Sequence, residues 1–214
     1  MMQKRSFIIG IDEVGRGPLA GPVTVCGVII PLKFDVKKMN EKIPLKDSKK
    51  LSPLQRERWF SLIKKEVNIS YSLKSVSPLL IDKMNITRSA NHAAACVLKN
   101  LERKIKFNRL HTYIYLDGGL YIEKDVLKDL GIPFRHVKTV IRGDEKIPAI
   151  SLASIVAKVR RDAYMERLHL KHPNYGFSAH KGYGTEMHRK AIKQHGPSKA
   201  HRLTFIRNFY TIKR

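Results

Sequence analysis

The feature that most constrains this chain is an apolar run that stops on two adjacent acids. Phe7-Ile8-Ile9-Gly10-Ile11 leads into Asp12-Glu13, and Val14-Gly15-Arg16-Gly17-Pro18 follows at once. The run has the length and branching of a buried strand. Carboxylates at the end of such a strand are costly unless a cation compensates them. A divalent metal is the natural compensator, because hard cations take oxygen ligands. Neighbours on a strand point to opposite faces, so Asp12 and Glu13 serve one site only if the strand ends or bends there. The glycines of the turn supply that bend. The competing reading is a strand end with solvated charges, and this segment alone leaves both open.

Val23–Ile30, β-branched and stopped by Pro31, reads as a second strand pairing antiparallel with the first. Residues 32–52 are polar and lysine-rich and read as a loop. Ser52-Pro53 then opens a helix as N-cap and first turn, with Leu54, Trp59 or Phe60, Leu62, Ile63 and Val67 on its apolar side. Ile69–Val76 alternates like a strand. Pro78 starts a helical stretch interrupted near Asn85 and running on through Ala90, Ala94, Val97, Leu98 and Leu101. Thr112–Leu116 repeats the opening theme, strand then carboxylate then glycine, with Asp117-Gly118-Gly119. Phe134–Ile141 is a further short strand ending at Arg142-Gly143-Asp144. A long helix with a wide apolar face begins at Pro148 and is broken by His172-Pro173. A polar loop, residues 178–184, leads into a last helix near Thr185–Gln194. Strands that first meander and later alternate with helices predict an α/β fold, a mixed sheet with helices on its faces.

Three strand-like segments therefore end in acids: Asp12-Glu13, Asp117 and Asp144. If these strands are neighbours, the carboxylates gather at one edge of the sheet. Such an arrangement suits a two-metal phosphodiesterase, whose oxygen ligands hold Mg²⁺ or Mn²⁺ against the attacking and leaving oxygens. The acids stand out because the chain is otherwise basic: 42 Lys and Arg against 18 Asp and Glu give a formal net charge of +24. That excess favours a polyanionic partner and salt-sensitive binding; the alternative is a set of solvated lysines that only aid solubility. Length and a hydrophobic content of 43% fit one globular domain. No apolar run is long enough to span a bilayer, and Met1–Ser6 lacks the pattern of a secretory leader. Cys26 and Cys96 match no zinc or redox spacing. A cytoplasmic protein with reduced thiols is expected.

The sequence resembles ribonuclease HII, the type 2 ribonuclease H family. The resemblance rests on Gly10–Pro22, Asp47-Ser48-Lys49-Lys50-Leu51, Leu116-Asp117-Gly118 and Gly143-Asp144-Glu145-Lys146. It continues through Ala153–Asp162, Lys181-Gly182-Tyr183-Gly184-Thr185, and His201-Arg202 with Phe205, in family order along nearly the whole chain. The departures, Leu116 where valine is usual and Ser151-Leu152-Ala153 in place of an alanine run, are apolar or small.

The resemblance implies a ribonuclease H-like mixed sheet flanked by helices, residues 1–214 forming one catalytic domain whose C-terminal part, from about 172 to 214, is helical. It implies that Asp12, Glu13, Asp117 and Asp144 are catalytic and bind Mg²⁺ or Mn²⁺. Gly15, Arg16 and Gly17 match the turn that recognises a ribose 2′-hydroxyl at an RNA–DNA junction. Tyr183 matches the tyrosine that packs on the junction's deoxyribose. Asp47, Ser48 and Lys49 match a loop near the substrate backbone, and Lys181 a nearby basic contact. The implied activity is cutting the RNA strand of RNA–DNA hybrids, and cutting 5′ of ribonucleotides embedded in duplex DNA, by a monomer with no membrane partner. Asp162, flanked by Arg160 and Arg161, reads as a structural ion-pair partner.

Two rivals are weighed against this. The glycines Gly15, Gly17 and Gly21 follow a strand as in a dinucleotide-binding protein, but the acids precede them, and Pro18 and Pro22 spoil the helix start. A non-catalytic basic RNA-binding protein explains the charge and leaves the strand-end acids unexplained. The nine histidines show no zinc-type pair at helical spacing, which makes most of them surface or packing residues.

Overall fold

The computed structural model describes residues 6–40 and 42–211; Met1–Arg5, on which the expectation about a secretory leader falls, lie outside the described residues. Strands β1 (Phe7–Val14) and β2 (Val23–Pro31) form an antiparallel pair in which Ile9 faces Ile29 and Asp12 faces Cys26. Helix α1 (Pro53–Lys65) and strand β3 (Ser70–Val76) follow, then α2 (Pro78–Met84) and α3 (Ile86–Ile105). Strand β4 (Thr112–Asp117) lies parallel to β1, and β5 (Val137–Val140) parallel to β4, with α4 (Lys124–Asp129) between them. The order across the sheet is β3-β2-β1-β4-β5. After β5 come α5 (Gly143–Lys146), the long α6 (Pro148–Lys171), α7 (Phe177–His180), α8 (Glu186–His195) and α9 (Leu203–Ile206). The mixed sheet with helical faces is the architecture expected. The β1–β2 hairpin has no crossover helix, which removes the dinucleotide-binding reading.

Strand alternation divides the core. Ile9 and Ile11 of β1 face α3, where Ala90, Ala94, Val97, Leu98 and Leu101 are buried. Ile8 and Val14 face the opposite layer of Trp59, Phe60 and Ile63 from α1 with Leu152, Ile155 and Val156 from α6. Helix α6 packs directly on the β1 backbone: a Cβ at Gly10 would lie 2.2 Å from the Ala149 carbonyl carbon, so only glycine fits. A third cluster joins Leu19 and Ala20 to Met165, Phe177, Ile192 and Ile206, seating the C-terminal helices beside the turn after β1.

Local signals explain the helix starts. Ser52 caps α1 in a reciprocal capping box with Gln55, an arrangement in which the cap is worth about 1 kcal/mol. Asn85, with φ 67°, ends α2 and accepts the Arg88 amide at the start of α3, which is the interruption expected there. Thr185 caps α8.

Four details differ from expectation. Leu54 and Val67 are exposed, and Arg56 takes the place on the α1 stripe because its guanidinium donates to the carbonyls of Ser48 and Leu51. Residues 36–39 and 48–50 form short 3₁₀ turns inside the loop, capped by Asp35 and Asp47. Strand β5 is shorter than Phe134–Ile141, because residues 134–136 form a 3₁₀ turn and the strand pairs only with Ile114–Asp117. Finally, β1 does not end at its acids: it stays paired with β2 through Val14, while its pairing with β4 stops at Ile11.

Candidate active site

Where β1 and β4 part, Asp12 and Glu13 come within electrostatic reach of Asp117. Asp12 lies on the α6 face of β1, and Glu13 on the α3 face, where its Oε1 is 3.5 Å from Nη1 of Arg16. Arg16 is held in turn by the Thr87 hydroxyl at the start of α3 (3.2 Å). Asp117 ends the neighbouring strand β4, and its Oδ1 accepts the Gly143 amide at 2.6 Å. Asp144 arrives differently from the strand end expected. Strand β5 stops at Val140, Arg142 turns left-handed (φ 55°), and the first turn of α5 carries the acid inward. The Ser151 hydroxyl donates to the Asp144 carbonyl at 2.5 Å and anchors that turn to α6.

The electrostatics of this group are unfavourable as they stand. Asp12 is 5% exposed, and its carboxyl is pushed well above the usual range by burial, then by Glu13 and Asp117. The Ser154 hydroxyl and the Glu13 amide oppose that rise only in part. Glu13 is raised by burial, against the pull of Arg16, and its Oε2 is buried without a hydrogen-bond partner. Asp144 is raised by burial, then by Asp47 and Asp117. Carboxylates that repel one another in a poorly hydrated place fit a cation with oxygen preference. Among the described residues, no three His, Cys, Asp or Glu side chains form a ready-made cage for a metal ion. Asp12 and Asp117 each spend an oxygen on a main-chain amide. The donor chemistry and the orphaned Glu13 oxygen nevertheless suit a hard divalent cation.

The loop of Asp47, Ser48 and Lys49 reaches the same place. Ser48 is buried and its hydroxyl meets that of Ser154 at 2.8 Å, on the Asp12 side. Asp47 caps its own turn through the Lys49 amide (2.9 Å) and acts on Asp144 by charge and hydrogen bond. Lys50 joins Glu145 of α5 at 2.8 Å, as does Arg142, and the two cations hold the Glu145 carboxyl down at about 2. The loop, α5 and α6 are thereby cross-linked around Asp144.

The Gly15-Arg16-Gly17 turn sits beside the acids. Gly15 has φ 89°, a conformation that favours glycine. Tyr183 is half-exposed, and its Cε1 lies 3.9 Å from where a Cβ on Gly17 would stand. Lys181 is adjacent in sequence, but its ammonium is engaged by Glu166 and by the Ser178 carbonyl (2.6 Å). Asp162 forms an ion pair on its own helix, with Lys158 at 2.9 Å rather than with the neighbouring arginines.

Sequence reasoning missed what holds the turn. Arg202, wholly buried, donates to the carbonyls of Gly15 (2.6 Å), Arg16 (2.8 Å) and Gly21 (3.0 Å). Arg161, 1% exposed, donates to those of Ala20 (3.3 Å), Pro22 (3.1 Å) and Lys181 (3.1 Å). A signal existed for Arg161: it stands between Ala157 and Met165 on the buried stripe of α6. For Arg202 there was none beyond its place in a motif.

Comparison with known proteins finds relatives along nearly the whole chain. The family model described as Ribonuclease HII matches residues 9–209. A ribonuclease HII from Caldicellulosiruptor bescii is 39% identical over 206 residues, spanning 96% of this chain and 89% of that protein. One from Ruminiclostridium cellulolyticum is 39% identical over 204 residues, spanning 95% and 71%. Among solved structures, ribonuclease H2 from Pyrococcus horikoshii aligns with a TM-score of 0.70 at 29% identity, over 94% of this chain and 96% of that one.

Proposed function

The chain belongs to the ribonuclease HII family, a family of ribonuclease H hydrolases, and from that premise we propose a metal-dependent endonuclease acting on two kinds of substrate. It cuts the RNA strand of RNA–DNA hybrids, and it cuts 5′ of ribonucleotides embedded in duplex DNA, leaving 5′-phosphate and 3′-hydroxyl ends. The observation that supports this reading is that Asp117 lies within electrostatic reach of Asp12, Glu13 and Asp144, with the Gly15–Gly17 turn and Tyr183 beside them. The non-catalytic RNA-binding alternative has no use for those acids, and the family is one of hydrolases.

In this reading the four acids hold Mg²⁺ or Mn²⁺. Such ions, when bound, supply Lewis-acid stabilisation of a phosphodiester attacked by water. The chain's own residues do the rest. Asp12 and Asp117 reach the site from the neighbouring strands β1 and β4, and Asp144 from the first turn of α5 that Ser151 anchors to α6, so regular elements rather than long loops set their spacing. The Gly15-Arg16-Gly17 main chain meets the ribose 2′-hydroxyl, which both donates and accepts and so separates RNA from DNA. Arg202 occupies the Gly15 and Arg16 carbonyls, holding that turn from behind. Tyr183 lies against the sugar that follows, and the loop of Asp47, Ser48 and Lys49 lies near the substrate backbone. We read residues 1–214 as one catalytic domain with a helical C-terminal part from about 172, working as a cytoplasmic monomer. No helix among the described residues is long and apolar enough to cross a membrane.

The test uses two substrates, a duplex carrying one ribonucleotide and a continuous hybrid, each with Mg²⁺ and with EDTA. Cleavage of both that stops in EDTA is expected; EDTA-resistant cleavage, or an uncut single-ribonucleotide duplex, overturns the reading. In the same assay Tyr183→Ala should slow the embedded ribonucleotide more than the hybrid, where no deoxyribose follows the cut. Aromatic stacking contacts with nucleotides are worth about 1–3 kcal/mol. An unchanged ratio of the two efficiencies would reduce Tyr183 to a packing residue.

The charge makes a separate prediction. If +24 serves phosphate contacts, log affinity falls steeply and linearly with log salt, with similar slopes for hybrid and plain DNA duplexes. Titration of a catalytically inactive variant by fluorescence anisotropy measures both slopes, and a flat response would make the lysines mere solubilisers.

A further inference from the structure

Tyr183 keeps its ring half-exposed while its backbone is immobilised. Its N–H donates to the His180 carbonyl at 2.9 Å, and its carbonyl meets Nδ1 of His188 at 2.9 Å. The preceding Gly182 is held as closely: its N–H donates to Nδ1 of His180 (3.1 Å), and its carbonyl accepts the Leu19 amide (2.8 Å).

The tautomers along this chain of rings follow from groups that have no choice of role. The Ser198 main-chain N–H can only donate, and it points at Nδ1 of His201 at 2.9 Å. In a neutral ring the His201 proton therefore sits on Nε2. That Nε2–H faces Nε2 of His188 at 3.1 Å, so His188 accepts there and carries its own proton on Nδ1. From the other end, the Tyr183 carbonyl can only accept, which demands the same Nδ1–H on His188. Two independent constraints thus converge on one arrangement. His180 stacks on His188 with centroids 4.3 Å apart and donates from Nε2 to the Tyr175 carbonyl. Burial, opposed by main-chain hydrogen bonds, pulls His188 and His201 down to about 4, so both rings are neutral near pH 7.

The residue after His201 faces the other recognition element. Arg202 donates to Gly15 and Arg16, and its own N–H donates to the Leu19 carbonyl at 2.8 Å. One dipeptide therefore bears on the turn directly and on Tyr183 through a single ring. We propose that His201-Arg202 is a positioning pair that sets the gap between the Gly15–Gly17 turn and Tyr183, with neutral His188 as the relay. It rests on the role given above to Tyr183, and makes discrimination between an embedded ribonucleotide and a continuous hybrid depend on the C-terminal segment. His180, His188 and His201 are then positioning residues that never touch substrate.

The test uses the full chain. In wild type, long-range ¹H–¹⁵N spectra at pH 7 should show His188 as the Nδ1–H tautomer and His201 as the Nε2–H tautomer. A charged ring at either position, or the Nε2–H tautomer at His188, overturns the relay whatever any variant does. His188→Leu removes the donor to Tyr183, whereas His188→Asn places an amide N–H near Nδ1 and restores it. His188→Leu should lower kcat/KM on the single-ribonucleotide duplex on the order of tenfold, the scale of one lost buried hydrogen bond, while hybrid cleavage stays within about threefold. His188→Asn should recover most of the loss. His201→Leu should shift the ratio the same way, and the double variant should add nothing further. Equal losses on both substrates, or no rescue by Asn despite a native melting profile, would make the histidines structural only. Tyr183→Ala run alongside separates the two failures. If it shifts the ratio and His188→Leu does not, the relay alone is wrong; if neither shifts it, the reading of Tyr183 falls first.

Discussion

Asp12→Asn is expected to give a protein that folds and binds a hybrid, cuts it several orders of magnitude more slowly, and melts at a higher temperature than its parent in metal-free buffer. The change keeps shape and the oxygen that accepts the Glu13 amide at 2.8 Å. It removes the charge on which the proposed cation binding rests, and electrostatic stabilisation is commonly the largest single contribution to such catalysis. The stability gain follows from the same burial. Asp12 is raised well above the usual carboxylate range by burial, Glu13 and Asp117, so its ionised form opposes folding. A carboxyl raised in the folded state contributes stability that is fully present below its unfolded pKa of about 4 and lost as pH rises through the folded value. The variant's advantage should therefore be largest at neutral pH and shrink as pH falls toward about 4. Melting curves of both proteins in EDTA across that range, with single-turnover rates in excess Mg²⁺, measure the two effects. Near-normal turnover would sink the metal-site reading, and a variant less stable at every pH would sink the electrostatic account.

What could be read from the sequence had local signals. Ser52-Pro53 and Asn85 mark helix boundaries by capping chemistry that acts within one turn, and both boundaries fall where the structure has them. The β-branched run of β2 and the acid after β4 were legible for the same reason. The approach of Asp12 and Glu13 to Asp117 needed only that β1 and β4 be neighbours, and they are. Four things were not legible because they depend on distant partners. Asp144 reaches the site through a left-handed Arg142 and one turn of helix, which a strand-then-acid pattern does not encode. Asp12 and Glu13 both act on Asp117 although β1 runs on past them to Val14, because the pairing of β1 with β4 stops at Ile11, just before the acids. Arg202 meets carbonyls up to 187 positions away, and among 42 basic residues it looks like any solvated cation. The histidines hid likewise: 180, 188 and 201 share no period and meet only when the C-terminal segment folds back.

Arg202→Met should be the most destabilising single change near the site. Arg202 is wholly buried and is satisfied by three main-chain carbonyls. Burial, then the Arg161 guanidinium beside it, pulls its pKa down to about 9, which still leaves it charged at neutral pH. Two opposing effects decide the outcome. Removing a buried cation relieves its desolvation, which favours the variant. Against that, methionine leaves the carbonyls of Gly15, Arg16 and Gly21 without their donor, at about 1–3 kcal/mol for each one that water cannot reach. Three orphaned acceptors outweigh one relieved charge, for a net loss of about 3 kcal/mol and a fall in Tm of about 10 °C for a chain this size. Arg202→Lys should fall nearly as far, because a single ammonium has no planar fork to span three acceptors. Below the lowered Tm both variants should also cut poorly on hybrid and junction alike, since the turn itself is loosened. A methionine variant as stable as its parent would mean that the charge's burial cost exceeds what the carbonyls return, and that the turn is held by the packing of Leu19 and Ala20 instead.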